Sequence, residues 1–101
     1  MDNLFDIIDK PLTQELVDIL AESSSVRIER IVSAGQTSDW YDQCESEFVC
    51  LLQGRARILF ADGRTLELKK GDTLQIAAHE RHKVIYTSSR PVCVWLCIFY
   101  Q

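Results

Sequence analysis

The chain has 101 residues, which is enough for one domain and no more. Its 11 Lys and Arg residues are scattered among 15 Asp and Glu residues, which gives a net charge of −4. Nucleic-acid binding needs a clustered cationic face, so no nucleic-acid partner is expected. The sequence begins without a basic leader and has no long apolar run. We therefore expect no membrane partner and a cytoplasmic location.

The four cysteines are predicted to be reduced. Cys93 and Cys97 fall on one apparent strand, four residues apart, which places them roughly 13 Å from each other in an extended chain. That separation is far beyond the reach of a disulfide. Cys50 lies in a dense apolar run, so buried thiols that act as small hydrophobic side chains are expected.

The first 25 residues are predicted to form an arm and a short helix. Pro11 and Thr13 mark a helix start, and the polar run 22–25 ends it. The apolar residues between them share one helical face, namely Leu12, Leu16, Ile19 and Leu20. Residues ahead of the helix are predicted to pack on the main body or on a second subunit; they are Leu4, Phe5, Ile7 and Ile8.

From Val26 onward the hydrophobic period changes to two, which predicts β-strands. We expect seven strands, at residues 26–33, 47–53, 55–60, 65–68, 73–77, 83–87 and 92–100. Asp62 and Gly63 supply the positive φ angles that a tight hairpin requires. No helical pattern separates the strands, so residues 26–101 are predicted to form an antiparallel all-β domain.

Two of these strands are apolar on both faces, whereas a half-exposed antiparallel strand should show one polar face. In the segment 47–53, Phe48 and Cys50 alternate with Val49 and Leu51, and the segment 92–100 has the same double pattern. One face would point into the domain interior. The other needs cover from the N-terminal helix or from another chain, so we predict a homodimer.

Two short segments carry a family resemblance. In the segment 35–54, Gly35, Glu47 and Gly54 are in register with the motif Gly-x5-His-x-His-x3-4-Glu-x6-Gly, and Tyr41 and Gln43 occupy the two histidine places. In the segment 71–86, Gly71 and His82 match the motif Gly-x5-Pro-x-Gly-x2-His-x3-Asn. Its proline, glycine and asparagine are replaced by Ala77, His79 and Tyr86.

Together, in this order and with strands between them, the two segments resemble the paired motifs of the cupin superfamily. The resemblance implies a small antiparallel jelly-roll β-barrel of the cupin type. It also implies a divalent metal inside the barrel, held at the positions of the two histidines, the glutamate and the later histidine. Only Glu47 and His82 keep a strong ligand type at these positions.

Other side chains could complete a metal site, although their spacing does not favour one. Gln43 has a weakly coordinating amide oxygen, His79 lies three residues before His82, and Asp42 is on the neighbouring loop. Such a set would be chemically adequate for Zn, Mn, Fe or Ni. A site without any cofactor remains equally open, with Glu47 and His82 as polar groups of the lumen.

The candidate ligand-binding residues are Trp40, Tyr41, Gln43, Glu47 and His82. An inward carboxylate at Glu47 needs a partner, for which Arg57, Arg81 and His82 are candidates. We expect a small-molecule ligand in the lumen, with Glu47 and His82 as its polar contacts. The alternatives are a metal-dependent dioxygenase, isomerase or decarboxylase acting on a small polar molecule, or a structural protein with a filled lumen.

Overall fold

The computed structural model describes residues 2–7 and 12–101, and these residues form eight β-strands. The strands are β1 (Leu16–Glu22), β2 (Val26–Ser33), β3 (Ser46–Gln53), β4 (Ala56–Phe60), β5 (Thr65–Leu68), β6 (Thr73–Ile76), β7 (His82–Thr87) and β8 (Cys93–Tyr100). The last seven confirm the predicted strands to within one residue at each end. Nowhere in the described chain is a helix long and apolar enough to cross a membrane.

The strands form two antiparallel sheets. The larger sheet has the order β1-β2-β8-β3-β6, and the smaller one has the order β5-β4-β7. Adjacent strands in each sheet alternate in direction, as expected for strands joined by turns rather than by crossover helices. The prediction of an antiparallel all-β fold is therefore confirmed.

The predicted N-terminal helix is wrong for the described residues. Leu16 to Glu22 form an edge strand that pairs with β2, with Leu16 opposite Val32 and Glu22 opposite Arg27. The apolar spacing fits a helical face, but the edge of β2 offers this segment backbone hydrogen bonds along most of its length, interrupted by one irregularity between Ile19 and Ala21. Tertiary pairing therefore outweighs the local periodicity. Pro11 and Ile8 lie outside the described residues.

The inner face of the larger sheet is built from rows of side chains that the strand register aligns. Arg27, Phe99, Glu47 and Ile76 form one row across four strands. The next row contains Glu29, Cys97 and Val49. Apolar side chains close the interior beneath these rows, with contributions from both sheets: Leu51, Ala56, Ile58, Phe60, Leu68 and Trp95.

All four cysteines are free, which confirms the predicted reduced thiols. Cys93 and Cys97 are buried, Cys50 is half-buried and Cys44 is exposed.

The segment before β1 is held by Arg30 of β2. The guanidinium group of Arg30 donates hydrogen bonds to the carbonyl oxygens of Leu4 and Asp6. This contact ties the first residues of the chain to the outside of β2.

Candidate functional site

A cavity of about 290 Å³ lies between the two sheets. Its walls combine apolar side chains from both sheets with a cluster of polar groups, the usual composition of a small-molecule site. Four of the predicted site residues line it: Tyr41, Gln43, Glu47 and His82. The folding of the loop before β3 onto β7 brings them together, because Tyr41 and His82 form an isolated backbone bridge.

Glu47 is the central polar group of this cavity. It is only 7% exposed, and burial raises the pKa of its carboxyl group above the usual value. The Gln43 amide donates to Glu47 Oε1 at 3.2 Å. That hydrogen bond and the thiol of Cys97 partly offset the effect of burial on the pKa. Glu47 can therefore accept hydrogen bonds as a carboxylate or donate one as a carboxylic acid.

Whereas a catalytic cysteine has a lowered pKa, the pKa of the Cys97 thiol is shifted upward. Burial, followed by the negative charge of Glu47, raises its pKa well above the ordinary value. A thiol held in its protonated form is a poor nucleophile. Cys97 thus acts here as a weak hydrogen-bond partner of Glu47.

His82 faces the cavity with one defined ring nitrogen. Nδ1 lies 2.8 Å from the carbonyl oxygen of Glu80, and a carbonyl can only accept, so Nδ1 carries the proton. In the neutral ring Nε2 then presents a lone pair. The ring packs between Tyr41 and Phe60, with centroid distances of 5.4 Å and 6.1 Å. In its neutral form His82 can therefore offer a hydrogen-bond acceptor from the wall of the cavity.

Arg27 is a lining residue that the sequence reasoning missed. Its guanidinium group binds Glu29 at 2.7 Å and both carboxylate oxygens of Glu45 at 2.9 Å and 3.2 Å. It also lies 4.4 Å from the centre of the Phe99 ring. Glu45 lies on the loop immediately before β3. The alternation of side chains along β2 is a sequence signal that could have identified Arg27 and Glu29 as lining residues, because it places them on the same face as Ile31.

The candidate partners of Glu47 are also corrected. Arg57 points outward and pairs with Glu67 at 2.6 Å on the surface of the smaller sheet. Arg81 lies 5.5 Å from the ring centre of Trp40. Neither guanidinium group reaches Glu47, which contacts the neutral side chain of Gln43 instead. The physical reason is strand alternation, since Arg57 follows the buried Ala56 and precedes the buried Ile58.

Trp40 and His79 are not among the described residues that line the cavity. Trp40 is 40% exposed, and Lys83 lies 4.8 Å from its ring centre. His79 lies on the loop between β6 and β7, with a φ of 63°, and its Nδ1 is 2.8 Å from Asp42. Its side chain is 68% exposed. The loop therefore directs His79 toward Asp42 and solvent rather than toward Glu47.

The side chains of the cavity do not fit a metal ion. Within the part of the chain that the structure describes, no group of three or more His, Cys, Asp and Glu side chains is arranged to hold one. Gln43 turns its amide nitrogen, which cannot coordinate a metal, toward Glu47. Of the four metal-ligand positions of the motifs, Glu47 and His82 are the two that carry a strong donor, one fewer than a catalytic metal site ordinarily has.

Comparison with known proteins points to one family. The family model of the cupin domain matches residues 29–99. A Ralstonia eutropha JMP134 structure, provisionally assigned as a mannose-6-phosphate isomerase, is 33% identical with a TM-score of 0.93, over 100% of this chain and 97% of that one. No curated protein matches the sequence.

Two further structures extend this likeness. A cupin superfamily protein from Desulfitobacterium hafniense DCB-2 is 26% identical with a TM-score of 0.80, over 92% of this chain and 83% of that one. A polyketide cyclase from Streptomyces resistomycificus is 17% identical with a TM-score of 0.75, over 87% of this chain and 66% of that one. The last likeness concerns the fold alone.

Proposed function

We propose that this chain, which belongs to the cupin superfamily, binds a small organic molecule in the lumen of its barrel without the help of a metal ion. The observation that carries the proposal is the convergence of Gln43, Glu47 and His82 on a cavity of about 290 Å³. A cavity of this kind offers an apolar wall for the body of a ligand and a few polar groups that fix its orientation.

The polar groups can act together on a single ligand group. Glu47 can accept or donate a hydrogen bond, and His82 Nε2 accepts one in the neutral ring. A hydroxyl or amino group of the ligand placed between them would satisfy both. Tyr41 packs against the His82 ring and is 42% exposed, so it borders both the cavity and the solvent.

A metal-dependent enzyme is the second candidate, and the Ralstonia eutropha neighbour is the observation in its favour. Its provisional assignment as an isomerase belongs to that protein, and the identity is 33%. The donor set argues against that reading, because only Glu47 and His82 keep strong donors at the four motif positions. Among the described residues, no group of three or more His, Cys, Asp and Glu side chains is arranged to hold a metal ion. We therefore assign Glu47 and His82 to the direct recognition of a ligand.

Elemental analysis tests the metal-free part of this proposal. The wild-type chain, purified without an affinity tag or chelator and then incubated with Zn, Mn, Fe or Ni salts, should retain far less than one metal ion per chain. Near-stoichiometric metal that is lost in His82→Ala but kept in His79→Ala would overturn the proposal. The His79→Ala variant controls for surface binding, since that ring is exposed.

Ligand-observed NMR tests the binding site itself. We would screen small neutral polyols and monosaccharides against the wild-type chain, Glu47→Gln and Glu67→Gln. Glu67 is a matched control, because its carboxylate is 73% exposed and lies on the outer side of the smaller sheet. Binders should lose affinity in Glu47→Gln and keep it in Glu67→Gln. Equal affinity in all three proteins would contradict the proposed site. The absence of any binder, both in this screen and among charged organic probes, would contradict it as well.

A further inference from the structure

We propose that the cavity selects a small ligand carrying a protonated amino group and excludes anionic ligands, including phosphorylated sugars. This inference rests on the proposed function, because it concerns the ligand of the same lumen. It is carried by the charge of the lining, by the hydrogen-bond partners of those charges and by the acceptor that His82 presents.

Carboxylates dominate the lining of the cavity. The described lining residues include one guanidinium group, that of Arg27, and four carboxyl groups: Glu15, Glu29, Glu45 and Glu47. An anion that enters this space moves from water toward like charges in a partly desolvated site, where Coulombic interactions are stronger than in water. A cation meets the opposite potential.

Arg27 is already neutralised by its neighbours. Glu29 and Glu45 together receive three hydrogen bonds from it, and the pKa of the guanidinium group is raised mainly by these contacts. The side chains of all three residues are less than one-third exposed. A phosphate or carboxylate ligand could bind Arg27 only by displacing one of these carboxylates into a less favourable environment.

The other two carboxyl groups have only neutral partners among the hydrogen bonds of the described residues. Glu47 receives the amide of Gln43, and Glu15 receives the hydroxyl of Ser33 at 2.7 Å. Ser33 in turn accepts a hydrogen bond from the indole nitrogen of Trp95 at 3.2 Å. Both carboxylates can therefore gain a charge-assisted hydrogen bond from an ammonium group without losing an existing ion pair.

His82 is the second and independent indication of a ligand. It is 4% exposed, and the only hydrogen bond that its ring makes to the described residues runs through Nδ1. In the neutral ring the lone pair of Nε2 is therefore left without a hydrogen bond from the described residues, while His82 itself lines the cavity. An N–H donor on the ligand would satisfy it, whereas a phosphate oxygen would not.

Aromatic rings supply the remaining recognition. Tyr41, Trp95 and Phe99 line the cavity, and the ring of Phe99 already lies against the guanidinium group of Arg27. The faces of aromatic rings attract cations, and they also cover the apolar part of an organic amine. Carboxylates, a lone-pair acceptor and aromatic faces together complement an organic ammonium group.

Three aromatic probes of similar size test the inference: benzylamine as the cation, benzyl alcohol as the neutral analogue and benzoate as the anion. Their affinities would be measured with the full chain near pH 7.5 by ligand-observed NMR or calorimetry. We expect benzylamine to bind on the order of tenfold more tightly than benzyl alcohol, and benzoate to bind weakest of all. Mannose 6-phosphate should likewise bind less tightly than mannose.

Variants locate the effect within the lumen. Glu15→Gln should reduce the preference for benzylamine over benzyl alcohol several-fold, and Glu67→Gln should leave it unchanged. If benzyl alcohol or benzoate binds at least as well as benzylamine, the charge inference is overturned and the lumen site stands. If none of the probes binds, the inference is also overturned, and the screen of neutral compounds then decides the proposed function separately.

Discussion

Gln43 Nε2 donates to Glu47 Oε1 over a distance of 3.2 Å, and this hydrogen bond joins two positions where the cupin motif has a histidine and a glutamate. Gln43 therefore donates a hydrogen bond at the position where a histidine ligand would offer a lone pair to a metal ion. The contact gives the buried carboxyl group of Glu47 a neutral hydrogen-bond partner.

The buried carboxyl group makes the stability of the fold depend on pH. Burial raises the pKa of Glu47 above the reference value of 4.5. Between the unfolded and the folded pKa, the folded chain holds a proton that the unfolded chain has released. The contribution of Glu47 to the free energy of unfolding is therefore fully present below the unfolded pKa and is lost as the pH rises through the folded pKa.

Thermal unfolding from about pH 4 to pH 8 checks this expectation. Relative to wild type, Glu47→Gln should gain stability as the pH rises, because its amide has no charge to bury. Glu67→Gln should follow the wild-type profile, since Glu67 is exposed. Parallel profiles for wild type and Glu47→Gln would contradict the assigned burial of the carboxyl group.

The turn between β3 and β4 depends on glycine for two reasons. Gly54 has a φ of +92°, and a Cβ atom there would lie 2.8 Å from Cys93 Sγ and 2.9 Å from Cys93 Cα. Gly63, in the turn between β4 and β5, is a comparison position: its φ is +94°, but a Cβ atom there would meet nothing within 4 Å. Gly63→Ala should therefore cost about 1 kcal/mol from backbone strain alone.

Gly54→Ala should cost more than Gly63→Ala, because the backbone of Cys93 must also move. We expect a total loss of about 2 to 4 kcal/mol in the free energy of unfolding, as for other overpacked positions with a strained backbone. Denaturant titration of the two variants measures the difference. Equal losses would show that the Cys93 contact relaxes without cost.

His79 occupies the position where the second cupin motif has glycine, and its φ of 63° explains that preference. His79→Gly removes the strain of a side chain in the left-handed region, whereas His79→Ala keeps it. We expect His79→Gly to be more stable than His79→Ala by about 1 kcal/mol. Both variants lose the Asp42 contact equally, so the comparison isolates the backbone; an inverted order would contradict it.

We propose that the chain forms a homodimer through the outer face of β3 and β8. Phe48, Leu96 and Ile98 lie on this face as neighbours in register, and they remain only half-buried within one chain. Partly exposed apolar patches are typical of protein interfaces. The sequence predicted that either the N-terminal helix or another chain covers this face. The predicted helix is instead the strand β1, which pairs with β2, so a second copy of the chain is the alternative that is left.

Sedimentation velocity measures the oligomeric state. The wild-type chain, with a monomer mass of 11.6 kDa, should sediment as a dimer. Phe48→Asp should shift the equilibrium toward the monomer by at least about tenfold, because a charge would be buried at the interface. Thr65→Asp, on an exposed position of the smaller sheet, should not. A wild-type monomer at high concentration would refute the proposal.

The alternation of apolar residues from Val26 onward was sufficient to place seven strands, because a strand buried on one face must repeat every two residues. The same rule placed Glu47 beside Val49 and Leu51 on the inner face. The paired motifs identified the family and placed Tyr41, Gln43 and His82 near Glu47. The strand pattern is local in sequence and the motifs can be recognised in it, so the sequence by itself determined these features.

Pairing between distant segments decided the rest. Leu16 to Glu22 have a helical spacing, yet they form a strand because the edge of β2 supplies their hydrogen bonds. Arg27 enters the site because the register of β2 with β8 places it opposite Phe99, and a loop 18 residues away supplies Glu45. No local pattern encodes such a contact. The ion pairing of Arg27 in the lumen is therefore decided by the tertiary structure.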